Sequence, residues 1–367
     1  MEIAVLGGAG GVGRTLVADL LKESDCKIRI VDIRERSAKQ LAQKMGPRVS
    51  VKGADASRPR TLARALKGVS AAVNCIGPFY RFAVTVARTL LDSGISGVDI
   101  CDDYTPVGGL FALDDLAKRR GLTFVTGAGW SPGLTNALAL AGARELTNLE
   151  EIRIYWAANV ADYTGPAAVN HLLFTSTGDV PVRKNDKRLQ VEALTETETV
   201  AFPPPVGNVP VSLCGHPEPI TLPKLIRVPK LFVKGGIVPA WNNRAVHLAV
   251  RLGLTRDDRS IEKTARRIVT MEKLFRIGSG KTVPRSASRV VVSGWKHGSR
   301  KQIVFDVADR MKRLTALPAS TAVLQVVRGK ASKPGVFAPE GCLDLDDFFV
   351  SLARRGIVIQ KTENPEK

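Results

Sequence analysis

The 367 residues exceed one ordinary domain and suggest two. With 44% hydrophobic and 24% charged residues, the composition is that of a soluble globular protein. No apolar stretch approaches the roughly 18 residues that a membrane-spanning helix needs, and the N-terminus lacks the basic region that precedes the apolar core of a secretory signal. Composition therefore argues against membrane and secreted proteins.

A net charge of +19 raises the question of nucleic acid binding. The basic residues are spread in short groups, at 118–120, 182–188, 265–267 and 353–355, and aromatic residues make up only 5% of the chain. No aromatic stacking platform alternates with the charges. We expect a solvated basic surface suited to anionic substrates, and no nucleic acid or membrane partner.

The five cysteines do not form a disulfide framework or a metal site. They are odd in number and scattered, without a C-x-x-C pair or a histidine at metal spacing. This pattern predicts a reduced, cytoplasmic protein without a structural metal. The cysteines are Cys26, Cys75, Cys101, Cys214 and Cys342.

The run GGAGGVG at residues 7–13 lies between a predicted strand and a predicted helix. Residues 3–6 are continuously apolar, as in a strand buried on both faces of a parallel sheet. Apolar residues then recur at spacings of three and four, which predicts a helix from residue 13 to 21. Strand, glycines and helix in this order are the context of a dinucleotide-binding turn.

This run can be read in two registers, which share Gly10 and Gly13. Gly8-x-Gly10-x-x-Gly13 is the dinucleotide fingerprint, and Gly7-x-x-Gly10-x-x-Gly13 belongs to related turns. We favour the first register, in which the amides of Gly11 and Val12 receive the pyrophosphate and Gly7 only eases the chain out of the strand.

An acidic residue at the end of the second predicted strand points to the ribose. Asp32 follows Gly13 by 19 residues, where this fold holds the ribose hydroxyls. Its carboxylate favours NAD because it would repel the 2′-phosphate of NADP. Arg34 and Arg36 weigh the other way, since an arginine there accepts that phosphate. We therefore expect NAD, with NADP as the alternative.

Strands alternate with helices over the first third of the chain, which predicts a Rossmann domain, a doubly wound parallel sheet, at residues 1–129. The predicted strands are 3–6, 27–33, 48–56, 71–78, 97–104 and 122–129, and the predicted helices are 13–21, 37–45, 60–66, 82–94 and 111–121.

The pattern changes at residue 130, where a second, α+β domain is predicted to begin. It contains a helix at 131–146, a strand at 150–160, loops and short strands at 195–240, and a hairpin at 288–307. Two further helices are predicted at 320–328 and 345–355.

Four ordered motifs resemble the saccharopine dehydrogenase, or saccharopine reductase-like, family. They are "VNCIGPFY", "GVDICDDY", "GLTFVTGAGWSPGLTNALA" and the tail "KPGVFAPEGCLDLDDFFVSLARRGI". Lysine 6-dehydrogenase is similar at "GAGWSPGLTNAL". The similarity covers most of the chain but is weak at residues 160–280.

The resemblance implies an NAD(P)-binding domain at 1–129 and about 318–367, with a substrate domain at 130–317. It also implies amino-acid metabolism, with reversible hydride transfer at a carbon that bears an amine. Family members usually carry an acidic or small polar residue before the Pro-Gly of the third motif, where this chain has Trp130 and Ser131. The bulky indole suggests a smaller or more apolar substrate than saccharopine.

Ligands of open α/β sheets bind at the carboxyl ends of the strands, which defines the candidate site. The glycine turn and the ends of the second to fourth strands are predicted to bind the cofactor: Gly8, Gly10, Gly11, Val12, Gly13, Asp32, Ile33, Arg34, Asp55, Cys75, Ile76, Gly77, Pro78 and Phe79. The end of the fifth strand supplies the catalytic candidates Asp102, Asp103 and Tyr104. The substrate candidates are Trp130, Ser131, Pro132, Asn136 and His171.

Several roles stay open at these positions. Either carboxylate of Asp102 and Asp103 would bind a substrate ammonium or act as a base, and either would equally serve as an N-cap. Free amides at Trp130–Gly133, which opens a helix, would receive a substrate carboxylate. The four histidines are isolated in sequence and are expected to be structural or exposed, with His171 the first to test.

These patterns predict a cytoplasmic, homodimeric NAD(P)-dependent oxidoreductase that acts on a C–N bond of an amino acid or related amine. Two alternatives remain open: a reductase of a carbonyl or C=C bond on the same fold, and a non-catalytic dinucleotide-binding protein with an acidic partner. The lack of an obvious proton donor keeps the second alternative open.

Overall fold

The computed structural model describes residues 1–162, 165–271, 283–331 and 333–365. The chain divides into two compact units. The first comprises Met1–Leu134 and Lys312–Arg355, and the second comprises Thr135–Met311 and Gly356–Lys367.

Strands and helices are numbered in chain order over the described residues. The strands are β1 Glu2–Leu6, β2 Lys27–Asp32, β3 Val49–Gly53, β4 Ala71–Asn74, β5 Ser96–Asp99, β6 Thr123–Val125, β7 Asn148–Asn159, β8 Asp179–Lys184, β9 Lys187–Glu192, β10 Glu198–Phe202, β11 Gly207–Leu213, β12 Lys230–Val238, β13 Ser286–Lys296, β14 Ser299–Asp309, β15 Gly335–Phe337 and β16 Ile359–Pro365.

The helices are α1 Gly11–Glu23, α2 Glu35–Met45, α3 Pro59–Ala65, α4 Phe79–Asp92, α5 Val107–Phe111, α6 Asp114–Arg119, α7 Leu134–Ala143, α8 Pro166–Thr175, α9 Glu218–Thr221, α10 Trp241–Arg251, α11 Asp258–Thr270, α12 Met311–Val327 and α13 Leu345–Arg354. Short 3₁₀ turns occupy Leu222–Lys224 and Pro339–Gly341.

The first unit is built on a seven-stranded parallel sheet with the order β15-β6-β5-β4-β1-β2-β3. Ile3, Ala4, Val5 and Leu6 are fully buried, which is why the sequence of β1 is apolar without alternation. The strand order reverses between β1 and β4, and this is the switch point where open α/β sheets bind ligands. The predicted Rossmann fold is confirmed.

The second unit is a mixed sheet with the order β10-β11-β12-β7-β13-β14-β16, to which the β8–β9 hairpin is added through β12. Helix α7 packs closely on one face, since a Cβ at Gly142 would lie 2.8 Å from Val292. A smaller apolar cluster joins α8 and α11 through Val169, Leu173, Ile261 and Ala265.

Several element boundaries differ from the sequence-based expectations. The predicted helix 111–121 is two short helices, α5 and α6. The strand predicted at 122–129 ends at Val125, two residues before Gly127 takes up a φ of +76°. Helix α12 begins at Met311 and runs through Pro318, because its buried side chains stabilise the helix despite the missing N–H.

The C-terminal residues also differ from expectation. Residues 318–367 were expected in the first domain, but β16 pairs antiparallel with β14 in the second sheet. The exposed peptide groups of β14 provide that pairing, and the sequence of β16 carries little apolar alternation to signal it. Residues 163–164 and 272–282 of the predicted substrate domain, and residues 332 and 366–367 of the predicted tail, lie outside the described residues.

Within the part of the chain that the structure describes, no helix combines the length and apolarity needed to cross a membrane.

Replacement of Gly97 by Ala tests the packing of the first sheet. A Cβ at this position in β5 would lie 2.9 Å from the buried ring of Phe124 and 3.0 Å from Leu90. Overpacking of this kind costs about 1–3 kcal/mol, so we expect Gly97→Ala to lower the free energy of unfolding by that amount in urea titrations followed by circular dichroism.

Gly108→Ala is the matched control, because a Cβ there meets nothing within 4 Å and the residue lies in α5. We expect this variant to be at least as stable as the wild type. Equal stability of Gly97→Ala and the wild type would contradict the packing described here.

Candidate functional site

The glycine turn joins β1 to α1 at the switch point. The Gly7 amide donates to Val31 O at 2.8 Å, and the Gly10 amide donates to Gly7 O at 2.9 Å. Gly10 is the N-cap of α1, and the Arg14 amide donates to Gly10 O at 3.0 Å. The first-turn amides of Gly11, Val12 and Gly13 precede Arg14 and have no intrahelical acceptor, so they form an anion-binding end.

The structure gives Gly7 a larger role than the sequence suggested. Gly7 has a φ of +73°, and a Cβ there would lie 2.9 Å from Cys75 O. Gly13 has no room either, since its Cβ would lie 2.7 Å from the Cα of Gly8. Gly7 therefore makes the tight turn possible, and Gly13 allows the close packing of the helix against the strand end. This division corresponds to the Gly7-x-x-Gly10-x-x-Gly13 register.

Asp32 at the end of β2 fixes the glycine turn. Its buried carboxylate accepts the Ala9 amide at 3.0 Å through Oδ2 and the Arg34 amide at 2.9 Å through Oδ1. Both oxygens are thus engaged by backbone donors. Asp32 holds the loop in place as well as lying where a ribose is expected.

Two exposed side chains follow Asp32. Ile33 is 69% exposed, so its apolar side chain is accessible to a ligand at the end of β2. The Arg34 side chain is 59% exposed, and a Cβ on Gly10 would lie 3.9 Å from its Nη2. Arg34 therefore places a cation beside the glycine turn.

Asp55 lies just after β3 and is engaged locally. Its Oδ1 accepts the amide and the hydroxyl of Ser57 at 2.9 and 2.7 Å. These hydrogen bonds lower the pKa of Asp55 below its ordinary value. The carboxylate stabilises the turn before α3, and its predicted cofactor role stays a prediction.

The segment after β4 begins beside the glycine turn. The Cys75 amide donates to Leu6 O at 2.9 Å, and the buried Asn74 accepts the Ile76 amide at 3.0 Å through Oδ1. Burial, with the charge of Asp99 adding to it, raises the pKa of the Cys75 thiol to about 12, so the thiol is neutral at physiological pH. Gly77, Pro78 and Phe79 then lead into α4.

The catalytic candidates differ from one another in their surroundings. Asp103 is fully buried, and its Oδ2 accepts the Tyr80 amide at 2.8 Å in the first turn of α4. Asp103 therefore stabilises the start of the helix after β4, whereas the sequence suggested capping of the helix after β5. Asp102 and Tyr104 are half-buried on either side of it.

Asp99, the last residue of β5, was missed by the sequence reasoning. Its Oδ1 accepts three hydrogen bonds, from the Gly127 amide at 2.7 Å, the Cys101 amide at 3.0 Å and the Thr126 hydroxyl at 3.0 Å. Complete burial raises the pKa of Asp99 to about 6 against the lowering effect of these donors. The Asp99 carboxylate thus connects two loops: the one after β5, which carries residues 102–104, and the one after β6.

The loop at residues 127–133 carries Trp130, Ser131 and Pro132, all of which are buried. The Leu134 amide donates to Gly129 O at 3.0 Å, and Gly129 forms a bridge with Gly133. Gly133 has a φ of +118° and no room for a Cβ. These contacts close the backbone into a tight, hydrogen-bonded turn at the start of α7.

The substrate candidates Asn136 and His171 lie in the second unit, within a buried polar cluster. The Asn136 amide group donates to the Thr221 hydroxyl at 3.0 Å, and the Thr135 hydroxyl donates to Glu218 Oε1 at 3.0 Å. His216 Nδ1 lies 3.7 Å from Glu218 Oε2, and the rings of His171 and His216 are 5.4 Å apart.

His171 and His216 are isolated in sequence, but both are buried and their rings meet in this cluster. His216 is separated from His171 by 45 positions, so no local motif could reveal the pair. The ring of Trp156 lies 5.6 Å from that of His216 and adds an aromatic residue to the buried polar cluster. The sequence did not indicate this contact.

Asp99 makes the stability of the protein depend on pH. Because the folded-state pKa is raised from 3.8 to about 6, the folded state holds a proton that the unfolded state releases between these values. Stability therefore falls as pH rises through this window. Relative to Asp99→Asn, which keeps the accepting oxygen, the wild type should lose about 2 kcal/mol of unfolding free energy between pH 4.5 and 7.5.

Urea unfolding of both proteins at the two pH values measures this difference, and other titrating groups cancel in the comparison. A wild-type minus variant difference that is constant with pH would show that Asp99 has an ordinary pKa.

The first unit matches a known family. Residues 3–125 match the model of the saccharopine dehydrogenase NADP binding domain. This match confirms the cofactor class, NAD(P), and supports the coarse prediction of an NAD(P)-dependent oxidoreductase.

Solved structures share the fold of the whole chain at low sequence identity. Apo saccharopine dehydrogenase (L-Glu forming) from Saccharomyces cerevisiae has a TM-score of 0.72 at 14% identity, with 99% of each chain covered. An engineered D-amino acid dehydrogenase bound to NADP+ has a TM-score of 0.52 at 13% identity, with 95% of this chain and 98% of that chain covered. The resemblance seen in the sequence is therefore supported: residues 3–125 are similar to the NADP-binding domain of saccharopine dehydrogenases, and the whole chain shares the fold of the solved saccharopine dehydrogenase.

Proposed function

We propose that the protein is an NADP-preferring dehydrogenase or reductase that transfers hydride at a C–N bond of an amino acid or related amine. The observation that carries the proposal is the glycine turn at the β1/β4 switch point, with first-turn amides that have no intrahelical acceptor and with Arg34 beside it. A dinucleotide pyrophosphate fits that arrangement because the turn has glycine where the ligand must approach the backbone.

The choice of NADP over NAD revises the expectation drawn from Asp32. Both oxygens of that carboxylate already accept backbone amides, so it is less available to the ribose hydroxyls. Arg34 is exposed and forms its ion pair with Asp32 only at 3.4 Å. A guanidinium in this position suits a 2′-phosphate.

The chain's own residues would bind and orient the reactants. The amides of Gly11 and Val12 would receive the pyrophosphate, and Ile33 would lie against the adenine. The nicotinamide would lie beside Cys75 to Phe79, at the end of β4. The cofactor itself supplies the hydride acceptor or donor.

The substrate would be held by the loops after β5 and β6. We assign binding of a substrate ammonium to Asp102, which is half-buried in the loop after β5, and the role of Asp103 is to accept the Tyr80 amide at the start of α4. Trp130, Ser131 and Pro132 lie in the rigid loop that Asp99 anchors, and they would limit the size of the substrate. In the second unit, Asn136 and His171 are the proposed substrate contacts, and the buried cluster around Glu218 would hold them in position.

The choice of C–N chemistry is supported by the names of similar structures, a saccharopine dehydrogenase and a D-amino acid dehydrogenase. A homodimeric state and a cytoplasmic location stay predictions from the sequence.

Arg34→Ala tests the cofactor preference. Loss of a charge-assisted hydrogen bond to the 2′-phosphate should raise the Kd for NADPH about tenfold, while the Kd for NADH changes less than threefold by calorimetry or fluorescence titration. Arg88→Ala is the control, because Arg88 is exposed on α4, about two and a half turns beyond its start.

If the ratio of the Kd for NADH to the Kd for NADPH is the same in Arg34→Ala as in the wild type, the preference for NADP is wrong. Absence of binding of either dinucleotide to the wild type would remove the proposed function as a whole.

A substrate panel tests the bond that reacts. With NADP, we expect reduction of the cofactor by amino acids or related amines, and with NADPH and ammonia we expect reductive amination of the matching oxo acids, both followed at 340 nm. Asp102→Asn should raise KM for the amine more than it lowers kcat, because it removes an ammonium contact.

Turnover of enones or simple carbonyls without any amine turnover would favour the alternative reductase. Tight dinucleotide binding with no turnover of either class would favour a non-catalytic protein.

A further inference from the structure

A pocket in the second unit has no part in the proposed reaction. It has a volume of about 640 Å³ and lies between α10 and β11. This is the size of pockets that bind small molecules, which run from roughly 300 to 1,000 Å³. Pro210 and Ser212 of β11 form its sheet side, and Trp241, Arg244, His247, Leu248 and Arg251 form its helix side.

The helix side combines apolar surface with positive charge. Trp241, Arg244, Leu248 and Arg251 are spaced by three and four residues and therefore share one face of α10. Val246, on the other face, is buried against the sheet. Trp241 is 39% exposed and Leu248 is 57% exposed, so large apolar surfaces lie open to a ligand.

The two arginines are available to an anion. Neither Arg244 nor Arg251 forms an ion pair with any residue in the described ranges. Thr197 also lines the pocket. The acidic residues on either side of it form ion pairs with Lys234, whose ammonium lies 2.7 Å from Glu198 and 3.8 Å from Glu196. Among the described residues, the lining contains no acidic side chain.

The remaining basic side chain of the pocket is His247. Partial burial lowers the pKa of its imidazole below the ordinary value. The start of α10 is also fixed, because Asn243 accepts the Ile237 amide at 2.9 Å and donates to Ile237 O at 3.1 Å. The pocket is therefore preformed at this end.

We propose that this pocket binds a small anionic amphiphile, a carboxylate that carries an apolar chain. The carboxylate pairs with Arg244 and Arg251, and the chain lies against Trp241, Leu248 and Pro210. A concave site with a strand at its back suits one bound molecule better than the flat surface of a membrane. The assignment does not depend on the proposed oxidoreductase activity.

Calorimetric titration of the full chain with decanoate below its micellar concentration tests the proposal. Decanol is the neutral ligand of the same chain length, and decyltrimethylammonium is the cationic one. We expect decanoate to bind at least tenfold more tightly than either, and Arg244→Gln or Arg251→Gln to weaken it about tenfold. Arg256→Gln, an exposed arginine outside the pocket, should leave the Kd unchanged.

The result that overturns the proposal is decanol binding as tightly as decanoate, or Kd values that neither pocket variant changes. Binding seen only with anionic lipid vesicles, and not with dissolved decanoate, would likewise overturn it in favour of a membrane surface. Circular dichroism establishes that the variants are folded. Unchanged NADPH binding in them separates a failure of this proposal from a failure of the proposed function.

Discussion

The buried carboxylate of Asp99 is the interaction on which the candidate site depends most. It accepts hydrogen bonds from Cys101, Thr126 and Gly127, which belong to the segments after β5 and β6. Burial of a carboxylate is costly, and the raised pKa of Asp99 reflects that cost. The gain is that two loops with candidate substrate residues are fixed to one point of the sheet.

Related acceptors recur along the same edge of the sheet. Asp32 accepts the Ala9 amide of the glycine turn, Asn74 accepts the Ile76 amide, and Asp103 accepts the Tyr80 amide. Each joins the end of a strand to a backbone segment that a ligand would contact. Such fixed loops lose little conformational freedom on binding, which is how a rigid scaffold supports precise positioning of a cofactor.

The sequence predicted the first unit well because its signals are local. Residues 3–6 and the glycines after them carry the pattern of buried strand, tight turn and helix within one short segment. By contrast, the role of Gly7 depends on Cys75 O across the neighbouring strand. In the sequence, Asp99 looks like an ordinary polar residue. Its role depends on hydrogen bonds from residues 126 and 127, which are distant in the chain. No spacing rule reveals contacts of this kind.

The second unit was less predictable for the same reason. His171, His216 and Glu218 come together through α8, the segment before α9 and α9 itself, and Thr135 joins them from α7. The path of α12 through Pro318 shows the opposite failure, where a strong local signal is outweighed by buried packing. Propensity marks where elements begin, but tertiary contacts decide which polar residues meet.

The central claim is that the glycine turn at the β1/β4 switch point binds NADP. A crystal structure of the NADPH complex tests it most directly. The account predicts the pyrophosphate on the first-turn amides of α1, the 2′-phosphate on Arg34 and the nicotinamide beside Cys75 to Phe79. A dinucleotide bound away from Gly7–Gly13, or a 2′-phosphate without contact to Arg34, would contradict it.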